Sequence, residues 1–127
     1  MKLQPDRPDT SLNVIAGYAP GAVTVNGEVR RTSVIVPWTG AVSEWPCQAV
    51  HELTAAHFES IAALAPEVVL FGSGKRIRFA HPEVLRPLIE RGIGVETMDT
   101  AAACRTYSIL MSEGRTVVAA LLIDAPA

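Results

Sequence analysis

The sequence predicts an α/β fold in which a mixed β-sheet combines an N-terminal antiparallel hairpin with a C-terminal βαβαβ unit covered by about three helices. Asn26 and Gly27 separate two β-like runs within residues 22–36, and this dipeptide suits the two positive-φ positions of a type I′ turn. Residues 67–123 then alternate apolar runs with helix-like segments, the pattern that joins parallel strands through right-handed crossovers. Together the two halves predict one mixed sheet, or two packed sheets, with helices over the parallel part.

The chain is expected to form one domain behind a short arm. Its 127 residues have the size of a single domain, and 49% of them are hydrophobic, which is enough to bury a core. Residues 1–10 contain two prolines and four charged side chains with little apolar content. We therefore predict a flexible N-terminal arm over residues 1–12. Residues 13–127 show no internal repeat and no second boundary, so they are predicted to be a single domain.

The hairpin and the segment after it account for the first half of the chain. The second arm of the hairpin is predicted to end in residues 33–36, which are apolar enough for burial on both faces. A connection follows between Trp38 and Trp45, which either mark an exposed binding site or fill a gap between sheet and loop. Residues 47–53 are predicted to form a further short strand.

The first helix is predicted to begin after Thr54, a suitable N-cap, and to end before Pro66, which cannot continue it. A short buried strand follows at residues 67–71, where the sequence is rich in Val and Leu. The spacing of apolar residues assigns one buried helical face to Phe58, Ile61, Leu64 and Ala65.

A second helix is predicted between Pro82 and Gly92. Proline suits the first helical position, and glycine suits the left-handed residue that ends a helix. Pro87 lies inside this segment and predicts a local kink or a tighter last turn. A short strand at residues 94–97 comes next.

The third helix is predicted to begin after Asp99, run through Met111 and close at Gly114. Residues 116–123, which are all apolar after Thr116, predict a final, central strand. The buried face of the helix is predicted to contain Ala103, Tyr107 and Leu110.

Composition excludes several classes of protein. The net charge is −2 and the pI is about 5.9, so no global field favours nucleic acid. The longest apolar run, residues 117–123, is too short to cross a bilayer, and no membrane insertion is expected. Cys47 and Cys104 have neither metal-ligand spacing nor a disulfide pattern. A reducing cytoplasm is the simplest location.

The Gly-Ser-Gly turn at residues 72–74 does not complete either glycine-rich nucleotide motif. A P-loop would need glycine where the chain has Val69, and Ser or Thr where it has Arg76. A dinucleotide-binding fingerprint would need a third glycine where the chain has Ile77. We therefore expect no cofactor.

The same turn nevertheless follows a predicted parallel strand, at the edge where α/β folds place ligands. Its amides can hold an anion beside Lys75, Arg76 or Arg78, or its glycines can simply reverse the chain. The turn at Asp99 should lie next to it, although Asp before a helix is most often a structural cap. No residue is assigned a catalytic role. The predicted ligand-contacting residues at these two turns are Gly72, Ser73, Gly74, Lys75, Asp99, Thr100, Cys104 and Tyr107.

Three stretches carry a resemblance to a known family. They read PEVVLFGSG at residues 66–74, RGIGVETMDTAAACRTYSIL at residues 91–110 and SEGRTVVAALL at residues 112–122. With them the chain resembles the family of Mth-type domains, whose members include the mitochondrial complex I assembly factor three and the adipogenesis-associated Mth-domain protein. It departs from the family pattern at Ser108, where asparagine is usual.

The resemblance implies an Mth-type α/β fold, no established enzyme activity and a role in binding other proteins. We thus expect a cytoplasmic, non-catalytic interaction or assembly factor with a protein partner, and a homo-oligomer is a further option. The alternative is a protein or enzyme that binds a small anionic ligand in a cleft between the Gly72–Gly74 turn and the start of the helix at Asp99.

Overall fold

The computed structural model describes residues 11–124, which begin with a three-stranded antiparallel meander. Strand β1 spans Ile15–Ala19, β2 spans Ala22–Val25 and β3 spans Glu28–Arg30. Asn26 and Gly27 have φ angles of 53° and 85°, which confirms the predicted type I′ turn between β2 and β3. Strand β1 escapes sequence prediction because most of its side chains are exposed and no apolar alternation marks it.

Only the end of the predicted arm, Ser11 and Leu12, falls within the described residues. The Ser11 carbonyl accepts a hydrogen bond from the Thr39 hydroxyl at 2.9 Å, and Leu12 forms an antiparallel bridge with the same residue. The remainder of the predicted arm, residues 1–10, lies outside the described residues.

The chain leaves the meander after β3, which corrects the prediction that the hairpin arm continues through residues 33–36. Strand β4 (Val34–Pro37) belongs to a second sheet, and all four of its residues are buried. A run that is apolar on both faces suits the interior of a sheet covered on both sides, not a hairpin with one solvated face. Strand β5 (Ser43–Glu44) pairs with β4 and forms one edge of this second sheet.

The second sheet is completed by the parallel unit of the chain. Strands β6 (Val68–Gly72), β7 (Gly94–Met98) and β8 (Val117–Leu121) join it in the order β5-β4-β8-β6-β7. Strand β6 pairs in parallel with both β7 and β8, and β4 pairs antiparallel with β8. The predicted βαβαβ unit with a central last strand is therefore confirmed. Because β6 and β7 end at the same edge, the turns that follow them are neighbours.

Residues 47–53 turn through a single 3-10 turn at Val50–Glu52 instead of forming the predicted strand. The Glu52 carboxylate accepts a hydrogen bond from the Gln48 N–H at 2.9 Å, and the Leu53 N–H donates to the Val50 carbonyl at 3.1 Å. These local bonds occupy backbone groups that a strand would pair with its neighbour.

Helix α1 spans Ala55–Ala62 and begins directly after the predicted N-cap. Phe58 and Ile61 are fully buried, as predicted. Leu64 and Ala65 are exposed, which corrects their assignment to the buried face. The helix ends at Ala62 and Ala65 has a φ of 53°, so these residues no longer follow helical spacing.

Helix α2 contains only Arg86–Ile89 and is much shorter than predicted. Ahead of it the chain makes tighter turns, in which the Leu85 N–H donates to the Pro82 carbonyl at 3.1 Å. Pro87 lacks an N–H, so an α-helix that began at Pro82 would be interrupted there. Gly92 has a φ of 69°, which confirms its predicted left-handed conformation.

Helix α3 spans Thr100–Ser112 and is capped as predicted. Ala103 and Tyr107 are buried, and Leu110 is partly buried. Together with the short α2, α3 connects the three parallel strands.

The five-stranded sheet lies between two apolar layers. On β6, Val69 and Phe71 pack into the layer under α1 and α2, whereas Val68 and Leu70 pack toward α3 and the meander. Successive side chains of a strand point to opposite faces, so a uniformly apolar strand serves both layers.

The two tryptophans belong to the first of these layers. Trp45 is 2% exposed and makes edge-on contacts with Phe58 and Phe71, at ring distances of 5.5 Å and 6.1 Å. Trp38 is partly buried against the same cluster. Trp45 therefore fits the interpretation that these tryptophans fill a gap between sheet and loop, and not the interpretation that they mark an exposed binding site.

Candidate functional site

The turns that follow β6 and β7 contact each other directly. The Ser73 N–H donates to the Met98 carbonyl at 2.9 Å, and the Thr100 N–H donates to the Gly74 carbonyl at 2.8 Å. The Gly74 N–H in turn donates to the Thr100 Oγ1 at 2.9 Å. The expectation that these turns are neighbours is therefore confirmed.

The space between the two turns is filled by protein, which differs from the open cleft that the sequence predicts. A Cβ atom on Gly72 would lie 3.0 Å from both the Thr100 Cα and the Leu121 Cδ2. A Cβ atom on Gly74, whose φ is +104°, would lie 2.9 Å from the Asp124 Oδ1. The glycines thus permit the protein's own segments to approach closely, so a ligand at these turns must bind on their outer side.

Several polar groups of the predicted site have partners inside the fold. The Asp99 Oδ1 accepts the Ala102 N–H at 2.8 Å, the geometry of a structural N-cap. Tyr107 is 1% exposed, and its hydroxyl lies 3.0 Å from the Asn13 carbonyl and 3.1 Å from the Pro37 carbonyl. Both groups hold neighbouring segments together.

Cys104 lies at a separate groove of about 430 Å³ between β1 and α3. Burial raises the pKa of its thiol to about 11, and Arg105 opposes this rise only in part. A thiol with such a pKa stays protonated near neutral pH and is a poor nucleophile. The described residues that line the groove include Tyr18 and Ser108 but no histidine, so nothing there pairs with Cys104 as a base.

A larger concavity of about 740 Å³ lies on the outer side of the Gly-Ser-Gly turn. Its wall is formed by residues of the 3-10 turn segment, of the loop after β6 and of the segment after β8. The residues that line it are Ala49, Val50, His51, Ser73, Lys75, Arg76, Arg78, Phe79 and Asp124. We call residues 75–79 the basic loop.

Ser73 fixes the shape of the basic loop. Its hydroxyl donates to the Arg76 carbonyl at 2.6 Å and accepts the Arg78 N–H at 2.9 Å. The Lys75 N–H donates to the Asp124 carboxylate at 3.1 Å. The Ser73 hydroxyl therefore stabilises the conformation of the basic loop, and hydrogen bonds hold the loop at both ends.

The side chains of the basic loop point out of the fold. All five of its residues are exposed, with Ile77 at 54% and Phe79 at 75%. No carboxylate within residues 11–124 forms an ion pair with Lys75, Arg76 or Arg78. The loop thus presents three cations and two apolar side chains to solvent.

Sequence reasoning found part of this surface and missed the rest. It identified Lys75 as a ligand-contacting residue and the two arginines as its companions, but it did not include His51, Phe79 or Asp124. The alternating pattern Lys-Arg-Ile-Arg-Phe did indicate an exposed apolar side chain. An apolar residue between charged residues is exposed unless a neighbouring element covers it. His51 and Asp124 are distant in sequence, and only the fold brings them to the loop.

Residues 11–124 contain neither a cluster of metal ligands nor a helix suited to cross a membrane. No group of three or more His, Cys, Asp or Glu side chains among residues 11–124 could hold a metal ion. None of the helices described there is long and apolar enough to span a bilayer.

The chain is similar to a family of unknown function and to proteins named as NADH dehydrogenase assembly factors. The profile of a family described as protein of unknown function (DUF498/DUF598) matches residues 15–122. NADH dehydrogenase (ubiquinone) 1 alpha subcomplex assembly factor 3 of Mus musculus is 35% identical over 111 residues, which cover 85% of this chain and 59% of that protein. The chain spans less than two thirds of the length of the curated assembly factors that it matches.

Solved structures share the fold. A crystal structure of a Bordetella parapertussis protein has a TM-score of 0.86 and 46% identity, and the match covers 92% of this chain and 100% of that one. A solution structure of a Bordetella pertussis protein, described as an Mth938-like domain, has a TM-score of 0.81 and 38% identity, with 100% of this chain and 95% of that one covered. The predicted Mth-type fold is thereby confirmed.

Proposed function

Because the chain belongs to the DUF498/DUF598 family of proteins of unknown function, we propose that it is a non-catalytic protein that binds other proteins in the manner of an assembly factor. The names of its vertebrate relatives support this proposal, since they denote a factor in assembly of NADH dehydrogenase. The shared region is a part of those proteins, so the proposal concerns the binding role of this domain and not their particular target.

The basic loop is the observation that carries the proposal. Arginine and aromatic side chains are enriched in protein interfaces and supply most of the binding energy where they are found. Here Phe79 is 75% exposed beside two arginines, on a loop that the Ser73 hydroxyl holds in one shape. An exposed and preordered surface of this composition loses little conformational freedom when a partner covers it.

The state of three predicted ligand-contacting residues, Asp99, Thr100 and Cys104, agrees with a non-catalytic binding role. The Cys104 thiol is buried and its pKa is raised to about 11, which suits a core residue better than a nucleophile. Asp99 and Thr100 are engaged in hydrogen bonds that join the two turns to the rest of the fold. In this structure the side chains of Cys104, Asp99 and Thr100 therefore stabilise the fold.

We propose that the protein acts in the cytoplasm. Cys47 and Cys104 are both free and buried, a usage typical of reducing compartments.

A small anionic ligand is the second candidate. The concavity of about 740 Å³ has the size of common ligand sites, which range from roughly 300 to 1,000 Å³. Lys75, Arg76 and Arg78 would supply the charge for such a ligand. A homo-oligomer is a third option, which light scattering distinguishes directly.

The test is a crosslinking capture with the tagged protein in cell extract. We expect wild type to recover a partner and the double variant Ile77→Ser/Phe79→Ser to lose it. Ile89→Ser is the matched control, because Ile89 is 58% exposed on α2, and this variant should recover the partner as wild type does. Recovery of the tagged protein alone by wild type would refute the binding role, and equal recovery by the double variant would remove the basic loop from it.

A further inference from the structure

The concavity beside the basic loop has a charge opposite to that of the whole chain. The chain carries a net charge of −2, yet three cations and one carboxylate line this site. That carboxylate, Asp124, accepts the backbone N–H of Lys75, and no ion pair joins it to the three side-chain cations. The concavity is therefore a local positive site on an acidic protein.

The same site has an apolar component. Phe79 and Val50 line it together with the cations. Val50 packs against the core beneath the sheet, whereas Phe79 stands largely in solvent. A partner that fits this wall has to offer an apolar side chain as well as negative charge.

The shape of the site distinguishes between two kinds of acidic partner. A planar bilayer contacts side chains that protrude, whereas a concavity several residues wide admits an extended chain segment. Asp124 within the wall would also repel a continuous anionic surface, but a peptide can place a neutral residue opposite it.

We infer that the concavity binds an acidic segment of a protein partner, with carboxylates against Lys75, Arg76 and Arg78 and an apolar side chain against Phe79. This inference rests on the proposed protein-binding function and specifies the chemistry of its partner. Because Ser73 already holds the loop in one conformation, binding restricts the conformational freedom of the partner's segment more than that of the concavity.

The test uses a fluorescein-labelled decapeptide of alternating Glu and Leu, and the same peptide with Gln in place of Glu, with binding to the full chain followed by anisotropy. We expect the Glu peptide to bind at least about tenfold more tightly than the Gln peptide and to weaken as salt rises from about 50 to about 500 mM. Lys75→Glu/Arg78→Glu should weaken binding of the Glu peptide by at least about tenfold, because two attractions become repulsions. Arg31→Glu, an exposed reversal outside the concavity, should leave binding within about twofold of wild type. A thermal melt of each variant confirms folding.

The other outcomes overturn the inference in distinguishable ways. Equal binding of the Glu and Gln peptides would show that the site does not recognise negative charge. An effect of Arg31→Glu as large as that of Lys75→Glu/Arg78→Glu would show that the recognition is not specific to the concavity. Tighter binding to vesicles of phosphatidylglycerol and phosphatidylcholine than to the peptide would replace the acidic segment by a membrane surface. Displacement of the peptide by millimolar inorganic phosphate would assign the site to a small anion. If the capture experiment still depends on Ile77 and Phe79 while the Glu peptide does not bind, this inference falls and the proposed function stands.

Discussion

Thr100→Val is expected to destabilise the fold strongly although it changes no shape. The Thr100 side chain is 0% exposed, and its Oγ1 accepts the Gly74 N–H at 2.9 Å while donating to the Leu122 carbonyl at 2.8 Å. One hydroxyl therefore connects the turn after β6, the start of α3 and the residue that follows β8. Valine fills the same volume but can make neither bond.

The magnitude follows from the two backbone groups that valine leaves without this partner. A buried donor or acceptor that loses its hydrogen bond costs about 1–3 kcal/mol, so the free energy of unfolding should fall by about 2–6 kcal/mol. Domains of this size have a free energy of unfolding of roughly 5–15 kcal/mol, so the loss would be a large fraction of the total. Thr100→Ser keeps the hydroxyl and removes one methyl group, which should cost only about 1 kcal/mol.

Urea denaturation of wild type and both variants measures these differences, with the slope checked for constancy across the three proteins. A valine variant within about 0.5 kcal/mol of wild type would refute the reasoning, since surface substitutions without structural consequence fall in that range. A serine variant as unstable as the valine variant would show that the methyl group contributes as much to stability as the two hydrogen bonds, against the expected cost of about 1 kcal/mol.

Two further substitutions test other parts of the structure. Tyr107→Phe removes the hydroxyl that bonds to the carbonyls of Asn13 and Pro37, and should lower the free energy of unfolding by about 1–2 kcal/mol; an unchanged urea midpoint would contradict this role. The Cys104 thiol, whose pKa is raised to about 11, should react with iodoacetamide at least about 100-fold more slowly in the folded protein than after denaturation, as followed by mass spectrometry. Since the unfolded chain loses this proton first, near pH 8.5, the free energy of unfolding should decline by roughly 2–3 kcal/mol as pH rises from there to about 11. Cys104→Ala should abolish that part of the decline, and an identical decline in the variant would show that another group causes it.

Local chemistry made several elements predictable. Asn26 and Gly27 specify their turn because few residues tolerate two consecutive positive φ angles. The Asp99 side chain caps α3 by accepting a hydrogen bond from the N–H of Ala102, and this bond forms within four residues of the chain. The apolar run at residues 117–123 identifies a central strand because such a run is soluble only when covered on both faces.

The largest error originates in a contact between distant segments, and two others originate in interactions that apolar content does not reveal. Strand β4 leaves the hairpin because β8, far away in sequence, offers a fully covered partner. Residues 47–53 turn because the Glu52 carboxylate closes on the Gln48 amide, a geometry that apolar content does not encode. Strand β1 has little periodicity of its own and exists through its pairing with β2.

The amino-acid sequence by itself determined the α/β class, the parallel unit and the meeting of two turns at one sheet edge, because strand order and period are properties of local segments. Only the tertiary structure decided how those turns meet. Thr100 and Gly74 bond to each other and close the space between them, while His51 and Asp124 arrive from other segments to enclose the basic loop on the outer side. Whether two neighbouring segments leave a cavity depends on distances of a few tenths of an ångström between atoms far apart in the chain, and no local pattern specifies those distances.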